Sequence, residues 1–309
     1  MKSICKPFCR YPGGKSRHVQ KILQYFEADV KDYREPFLGG GSVFLAGGFR
    51  NAWLNDIDEG VADMWKMVKE SPNQIEALIN KHTLILDHQN EPHRIKEAID
   101  LWRQVRENRN GLFPNGYREL FLIKTCFSGV KTGGPTGGIE QKSQWPITAR
   151  WSAKSTIERV KTVSEILKSC KITNTSWESV LSDVSPQTCV FLDPPYLEKG
   201  AMCYKHSFGK EHHEKLAESL ASKDCRFVVT LDNCDGIKKI WSAYFPPENF
   251  VQEEWMYSMT ASRGANKIGK ELFITDMRSL EMKLERDKNG RNKHKRKVPK
   301  GCSDPWGNN

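Results

Sequence analysis

The stretch from Cys189 to Tyr196 leaves the chain few choices. Cys189, Val190, Phe191 and Leu192 form an apolar run that reads as the end of a buried, parallel strand. Asp193, Pro194 and Pro195 follow. Neither proline has a backbone N–H to donate, so the ladder cannot continue and the strand must stop at Asp193. A carboxylate, two carbonyls and the Tyr196 ring are thereby fixed at the carboxyl end of a central strand. In an open α/β sheet, ligands bind at that edge. The group suits a planar aromatic amine. Asp193 can accept one N–H of an exocyclic amino group and the Pro194 carbonyl the other, while Tyr196 stacks on the ring. Two acceptors aimed at one nitrogen turn its lone pair toward an electrophile. Such chemistry needs positioning and preorganised charge rather than a strong base. A plain proline turn after an N-capping aspartate is the alternative that the same residues allow.

Three earlier stretches have the makings of a ligand site. Pro12-Gly13-Gly14-Lys15 is a turn, and Val19, Ile22, Leu23 and Phe26 follow at helical spacing. A glycine turn, a lysine and a helix N-terminus can hold an anion, or can be an ordinary turn with a surface lysine. Around Phe37 a short strand ends, Gly39, Gly40 and Gly41 let the backbone approach a ligand, and a helix starts at Ser42 or Val43. The spacing is not that of a dinucleotide fingerprint. A second strand, Ala52-Trp53-Leu54, leads into Asn55-Asp56-Ile57-Asp58. Asp56 can take two ribose hydroxyls or cap the next helix; following a glycine loop favours the ribose, and leaves the cap before Glu59 to Asp58.

From Val61 to Trp151 no strand–helix alternation is visible. Segments 64–69, 75–86, 95–107 and 117–124 look helical, and 131–144 is a polar, glycine-rich loop. Such a loop can follow a nucleic-acid groove and place Lys131, Lys142 or Arg150 on phosphates or base edges, or can simply be solvated. Ile157, Val160, Val163 and Leu167 form a helical stripe, and Ile172 to Trp177 reads as a strand ending in an aromatic. After Tyr196, a loop with Gly200 and Gly209 as hinges carries Tyr204, Lys205 and His206, which could close over a substrate. His206, His212 and His213 have no metal-site companions at useful spacing and read as surface residues. Phe227 to Leu231 is a further strand before Asp232-Asn233. Residues around 251–257 and 272–275 form a terminal antiparallel pair.

Composition sets the class. At 309 residues there is room for an α/β domain and a second, smaller one. No apolar run approaches a membrane span, the N-terminus has no signal-peptide core, and the expected location is the cytoplasm. Nine cysteines include no Cys-x-x-Cys pair, which predicts reduced thiols and no metal site. Of the net charge of +10, residues 283–309 carry +6, so a large part of the basicity is a tail. Its polar composition predicts disorder after an optional helical turn, with non-specific DNA affinity through counterion release.

Asp193-Pro194-Pro195-Tyr196 resembles the catalytic tetrad of amino-methyltransferases that use S-adenosylmethionine. With the three upstream stretches in this order, the chain resembles the Dam-type (D12 class) N6-adenine-specific DNA methyltransferases over about residues 8–275. The resemblance implies that Tyr11, Gly14 and Lys15 contact the cofactor, Lys15 near its carboxylate. It implies that Phe37 packs on the cofactor, that Gly39 and Gly41 pass its methionine part, and that Asp56 takes the ribose. Ser176 and Trp177 would lie beside the cofactor adenine, and Asp193 would touch both cofactor and substrate. Arg10 falls where the family has a DNA-contacting basic residue. Phe127-Ser128-Gly129 is similar to the family's Phe-Asn-Gly turn, with Ser in place of Asn. Lys131 and Arg150 complete the expected DNA contacts. Val130-Lys131-Thr132 offers no counterpart of the family's guanine-reading arginine, so the resemblance does not extend to the site GATC.

The fold implied is α/β, a Rossmann-like S-adenosylmethionine-dependent methyltransferase sheet with an inserted helical target-recognition domain. The expected boundaries are 1–60 with 153–282 for the catalytic part, 61–152 for the insert and 283–309 for the tail. The expected reaction is methyl transfer from S-adenosylmethionine to N6 of a flipped-out adenine in duplex DNA, with no metal, no membrane and no obligate protein partner. Methylation of RNA adenine or cytosine N4, and a catalytically silent DNA-binding relative, are the alternatives.

Overall fold

In the computed structural model, residues 5–27, 29–86, 92–197, 208–257 and 267–295 are described. Strands β1 (Asp32–Glu35), β2 (Trp53–Asn55), β3 (Lys171–Thr173), β4 (Thr188–Leu192), β5 (Arg226–Asp232), β6 (Phe250–Tyr257) and β7 (Lys267–Thr275) form one sheet in the order β3-β2-β1-β4-β5-β7-β6. β1 pairs in parallel with both β2 and β4, β2 with β3, and β4 with β5. β7 runs antiparallel to β5 and β6. The order runs outward in one direction from β1 and in the other from β4. The crevice between their carboxyl ends is therefore the topological switch point, where such sheets bind ligands. β4 is buried along its whole length, as its apolar run requires, and it ends at Leu192, one residue before Asp193.

The helices, in chain order, are α1 (Val19–Ile22), α2 (Ser42–Gly47), α3 (Glu59–Glu70), α4 (Pro72–Leu86), α5 (Pro92–Glu107), α6 (Asn115–Thr125), α7 (Ala153–Leu167), α8 (Trp177–Val180), α9 (Lys210–Ala221), α10 (Asp235–Trp241) and α11 (Met277–Lys295). α3 starts where its cap predicts: Asp58 Oδ1 accepts the Gly60 N–H at 3.0 Å. The segment between β2 and β3 is helical as expected, yet it does not form a core of its own. One buried cluster runs from Tyr33, Phe44 and Leu54 through Trp65 to Tyr117, Phe121 and Trp151. Each such side chain contributes about 1.5–3 kcal/mol by leaving water, so sheet and helices stabilise one another.

Two sequence expectations give way here. Ile172 to Trp177 is not a continuous strand. β3 ends at Thr173: Thr175 N–H turns to Asn55 Oδ1 (2.9 Å), and the Asn174 side-chain Nδ2–H donates to the Asp56 carbonyl (2.8 Å). Trp177 then opens α8. The tail is also not disordered from Lys283: α11 continues to Lys295. It is docked, with Lys283 Nζ 3.6 Å from Glu253, and Arg286 donating to the Leu23 and Gln24 carbonyls at 2.9 and 3.0 Å. Tyr204, Lys205, His206, Gly200 and residues 296–309 lie outside the described residues. Among the described residues, no helix is long and apolar enough to cross a membrane, and no group of three or more His, Cys, Asp or Glu is placed to hold a metal ion.

His82 of α4 gives the helical part a pH signature. Its Nδ1 lies 2.7 Å from Tyr117 Oη, and burial lowers its pKa to about 4. A histidine held neutral in the fold takes up its proton more readily when unfolded. Its contribution is therefore present above the unfolded value of about 6.5 and is lost as pH falls toward 4, by about 1.4 kcal/mol per pH unit. Glu35 titrates in the opposite sense, since burial raises its pKa to about 8. The slope due to His82 should thus be read in urea titrations as the difference from His82→Gln. The stability gap between the two proteins should narrow on acidification from pH 6.5 to 4.

Candidate active site

A cleft with a cavity volume of about 100 Å³ opens at the switch point. Its walls are the 11–15 turn, the loop after β1, the end of β2 and the end of β4. Of the expected cofactor residues, Tyr11, Gly14, Lys15, Phe37, Gly39, Gly41, Asp56 and Asp193 all line it. The two glycine turns are packed against each other. A Cβ on Gly39 would stand 2.9 Å from the Tyr11 ring, and Ser16 and Ser42 meet hydroxyl to hydroxyl at 3.0 Å. Gly41 has φ +59°, and a Cβ there would lie 2.5 Å from Trp65 Cζ2. The Trp65 ring cannot swing away readily, because its Nε1–H donates to the Gly39 carbonyl at 2.9 Å. Gly41→Ala should therefore lower stability by about 2–4 kcal/mol, from the left-handed backbone and the overpacking together. Differential scanning calorimetry would read it, with cofactor affinity falling in parallel.

Asp193 is held from two sides. Lys15 Nζ lies 2.7 Å from its Oδ1 and 2.8 Å from its Oδ2, and also donates to the Gly13 carbonyl at 3.2 Å. Thr230 of β5 donates to Oδ1 at 2.7 Å. The Lys15 side chain is only 6 % exposed, and its ammonium sits 5.1 Å from the centre of the Tyr196 ring. Burial works to lower the Lys15 pKa, but the carboxylates of Asp193 and Glu271 outweigh it and the net shift is upward. Lys15 is thus a fixed cation whose partner is the tetrad carboxylate.

Asp56 accepts the Gly39 N–H at 2.8 Å and the Asp58 N–H at 2.9 Å, so its carboxylate faces the cleft from a rigid setting. Burial raises its pKa to about 6, against those two N–H bonds. Glu35, at the end of β1, is a cleft residue that the sequence reading missed. Tyr33 Oη donates to it at 2.7 Å, and its pKa of about 8 comes from burial first, with the Asp193 charge adding to the rise. Its signal was a carboxylate at a strand end just before a glycine loop. Thr230, a lone hydroxyl in an apolar strand, was the other omission.

Three of the expected residues sit elsewhere in the structure. Ser176 and Trp177 do not line the cleft; Ser176 is exposed, and Trp177 packs with Leu181 and Val190 in the core beside β4. Lys131 is not a free DNA-facing cation. Its ammonium is 2.7 Å from both Asp58 Oδ2 and Glu119 Oε1, and it lines the cleft. The other expected DNA contacts are on the surface. Arg10 is exposed, Phe127 is 64 % exposed, and Arg150 lies near enough to Arg10 that burial and the Arg10 charge both lower its pKa. The Arg150 Nη1 group is buried without a hydrogen-bond partner. Trp145, on the same loop, is as exposed as Phe127.

The cleft thus joins four carboxylates, Glu35, Asp56, Asp58 and Asp193, to two lysines around a glycine-lined wall. It suits a ligand with a cationic centre, a hydroxylated sugar and a carboxylate. Comparison with known proteins gives the same direction. The model of the D12 class N6 adenine-specific DNA methyltransferase family matches residues 11–259. The type II methyltransferase M.CviBI of Paramecium bursaria Chlorella virus NC1A is 22% identical over 275 residues, covering 85% of this chain and 96% of that protein. The type II methyltransferase M1.LlaDCHI of Lactococcus lactis subsp. cremoris is 22% identical, over 73% of this chain and 80% of its own. The DNA N-6-adenine-methyltransferase of Escherichia phage P1 is 26% identical, over 76% of this chain and 30% of its own.

Proposed function

The chain belongs to the D12 class of N6 adenine-specific DNA methyltransferases, so its reaction is methylation of adenine N6 in DNA, and we propose that Asp193, Pro194 and Tyr196 present that amine at the switch-point cleft. The observation that carries the assignment is Asp193 itself, fixed at the end of β4 by Lys15 and Thr230. Its carboxylate accepts one amine hydrogen and the Pro194 carbonyl the other, while Tyr196 stacks on the base. Pro195 keeps the chain from re-entering the sheet. The amine proton leaves to solvent after transfer. A paired adenine cannot reach this edge, so the base must turn out of the duplex, at a cost of about a few kcal/mol.

S-adenosylmethionine, when bound, supplies a methyl group on a positively charged sulfur. The residues present fit it: the glycine wall would be filled by any Cβ, and the cleft is acidic. Asp56 would take the ribose hydroxyls, Gly39 and Gly41 would let the backbone approach, and Phe37 and Tyr11 would pack on it. Glu35 would face its ammonium group. Lys15 would serve its carboxylate while still steadying Asp193.

Arg10, Arg150 and Phe127 would meet the duplex. Arg150, half-buried beside the charge of Arg10, brings two guanidinium groups together in a way that suits a phosphate. Arg150→Ala should weaken binding alike on all sequences and flatten the slope of log K against log salt by about 1. Fluorescence anisotropy from 50 to 300 mM salt would check this.

The deciding experiment is transfer of labelled methyl from S-adenosylmethionine to unmethylated duplex DNA, with the digested nucleosides resolved by mass. Label in N6-methyladenine is expected. Label in N4-methylcytosine, or transfer to RNA only, would move the substrate assignment.

A further inference from the structure

His213, on the helix that follows the Asp193–Tyr196 segment, has no part in the chemistry above. It is fully buried in α9, at 0 % exposure, although its polar neighbours suggest a surface residue. The spacing of His213, Leu216, Ala217 and Leu220, all buried, shows that it belongs to the apolar face of that helix. Neither ring nitrogen has a hydrogen-bond partner. Leaving a buried polar group unpaired destabilises the fold, so such a residue calls for a physical reason. Burial holds the ring neutral, lowering its pKa to about 4, while the Asp232 carboxylate and the Pro195 carbonyl pull the other way. The Asp232 carboxylate and the Pro195 carbonyl thus lie close to the ring, although neither ring nitrogen completes a hydrogen bond. Asp232 Oδ1 also takes the Leu197 N–H at 3.4 Å, at the exit of the same segment. Phe208 packs edge-on against His213 at 4.8 Å and against Phe37 at 5.5 Å, so one ring links the imidazole to the cleft wall.

The prolines explain why a helper is needed. Pro194 and Pro195 give the segment no N–H of its own with which to fix its direction. We propose that His213 is a positioning residue: its ring N–H takes the Pro195 carbonyl when the target base is in place, and so aims the neighbouring Pro194 carbonyl at the amine. This rests on the reading of Asp193 and Pro194 as the amine acceptors.

The test compares His213→Phe, His213→Gln and Asp193→Ala with the wild type. His213→Phe fills the same space without a donor. It should keep its unfolding temperature and its Kd for S-adenosylmethionine, and lose about 10- to 100-fold in kcat, as expected for a small misplacement. His213→Gln, which can still donate, should recover most of that loss. Wild-type kcat in His213→Phe, or no recovery in His213→Gln, would overturn the proposal. An active Asp193→Ala would instead overturn the underlying reading. Should the Phe protein not fold, wild-type protein with 15N-labelled histidine decides. With S-adenosylhomocysteine and unmethylated duplex added, the His213 N–H should shift and exchange slowly. An unshifted, fast-exchanging N–H overturns the proposal.

Discussion

Asp193→Ala should lose at least about 10³-fold in single-turnover methyl transfer, the scale set by removing one preorganised polar group from an active site. DNA affinity, by anisotropy, should stay within about twofold, because phosphate contacts dominate it. The variant also strips a nearly buried ammonium of its counter-charge. Breaking such a pair from one side costs about 3–5 kcal/mol, so the unfolding temperature should fall as well. The two effects separate in Asp193→Ala with Lys15→Met. Removing both charges should return much of the stability and none of the activity. A double variant that regains turnover would show that Asp193 acts only as the partner of Lys15. Loss of DNA affinity in step with rate would equally count against the assigned role.

The second large effect is expected at Lys131. Its ammonium joins Asp58, the N-cap of α3, to Glu119 of α6, whose side chain is 2 % exposed. Lys131→Met leaves both carboxylates facing each other and should cost about 3 kcal/mol near neutral pH. The pH dependence has a definite sign. Burial raises the Glu119 pKa, and Lys131 restrains that rise. Without Lys131 the folded value climbs further above the ordinary value of about 4.5. A carboxylate with a raised folded pKa is more protonated folded than unfolded, so acidification stabilises the fold through that window. The deficit of Lys131→Met should therefore be largest at high pH and shrink as pH falls toward 4.5, in urea titrations at each pH. Glu119→Gln in the same chain should remove much of it at neutral pH. Cofactor affinity should fall in Lys131→Met, because the Asp58 N–H is one of the two that fix Asp56.

Features carried by short segments were legible in the sequence. The stop of β4, the glycine turns, the Asp58 cap and the end of β2 follow from proline, glycine and capping chemistry within a few residues. The lining of the cleft was also legible, since many of its residues sit at strand ends. What escaped depends on side chains meeting across the fold. Lys15 and Asp193 are 178 positions apart, and the composition of the 12–15 turn cannot say that its lysine reaches β4. Lys131 reads in the sequence as a loop cation for DNA because Glu119, its partner, lies on another helix. Trp177 was assigned to the ligand because an aromatic after a strand serves either a pocket or a core, and only packing distinguishes them. His213 differs: its helical register held the answer, but the adjacent His212 and charged neighbours masked it.

The shared core of sheet and helices constrains how target choice could be altered. A recognition unit with a core of its own can be exchanged between relatives like a cartridge. Here Trp65, Tyr117, Phe121 and Trp151 belong to the same buried cluster as Tyr33 and Leu54, so a transplanted helical segment would carry away half of the packing under the catalytic sheet. New specificity is therefore expected to arise by point changes on the exposed rim, at positions such as Phe127 and Trp145. Chimeras joined at the segment's ends should be insoluble unless the core residues on both sides are exchanged together.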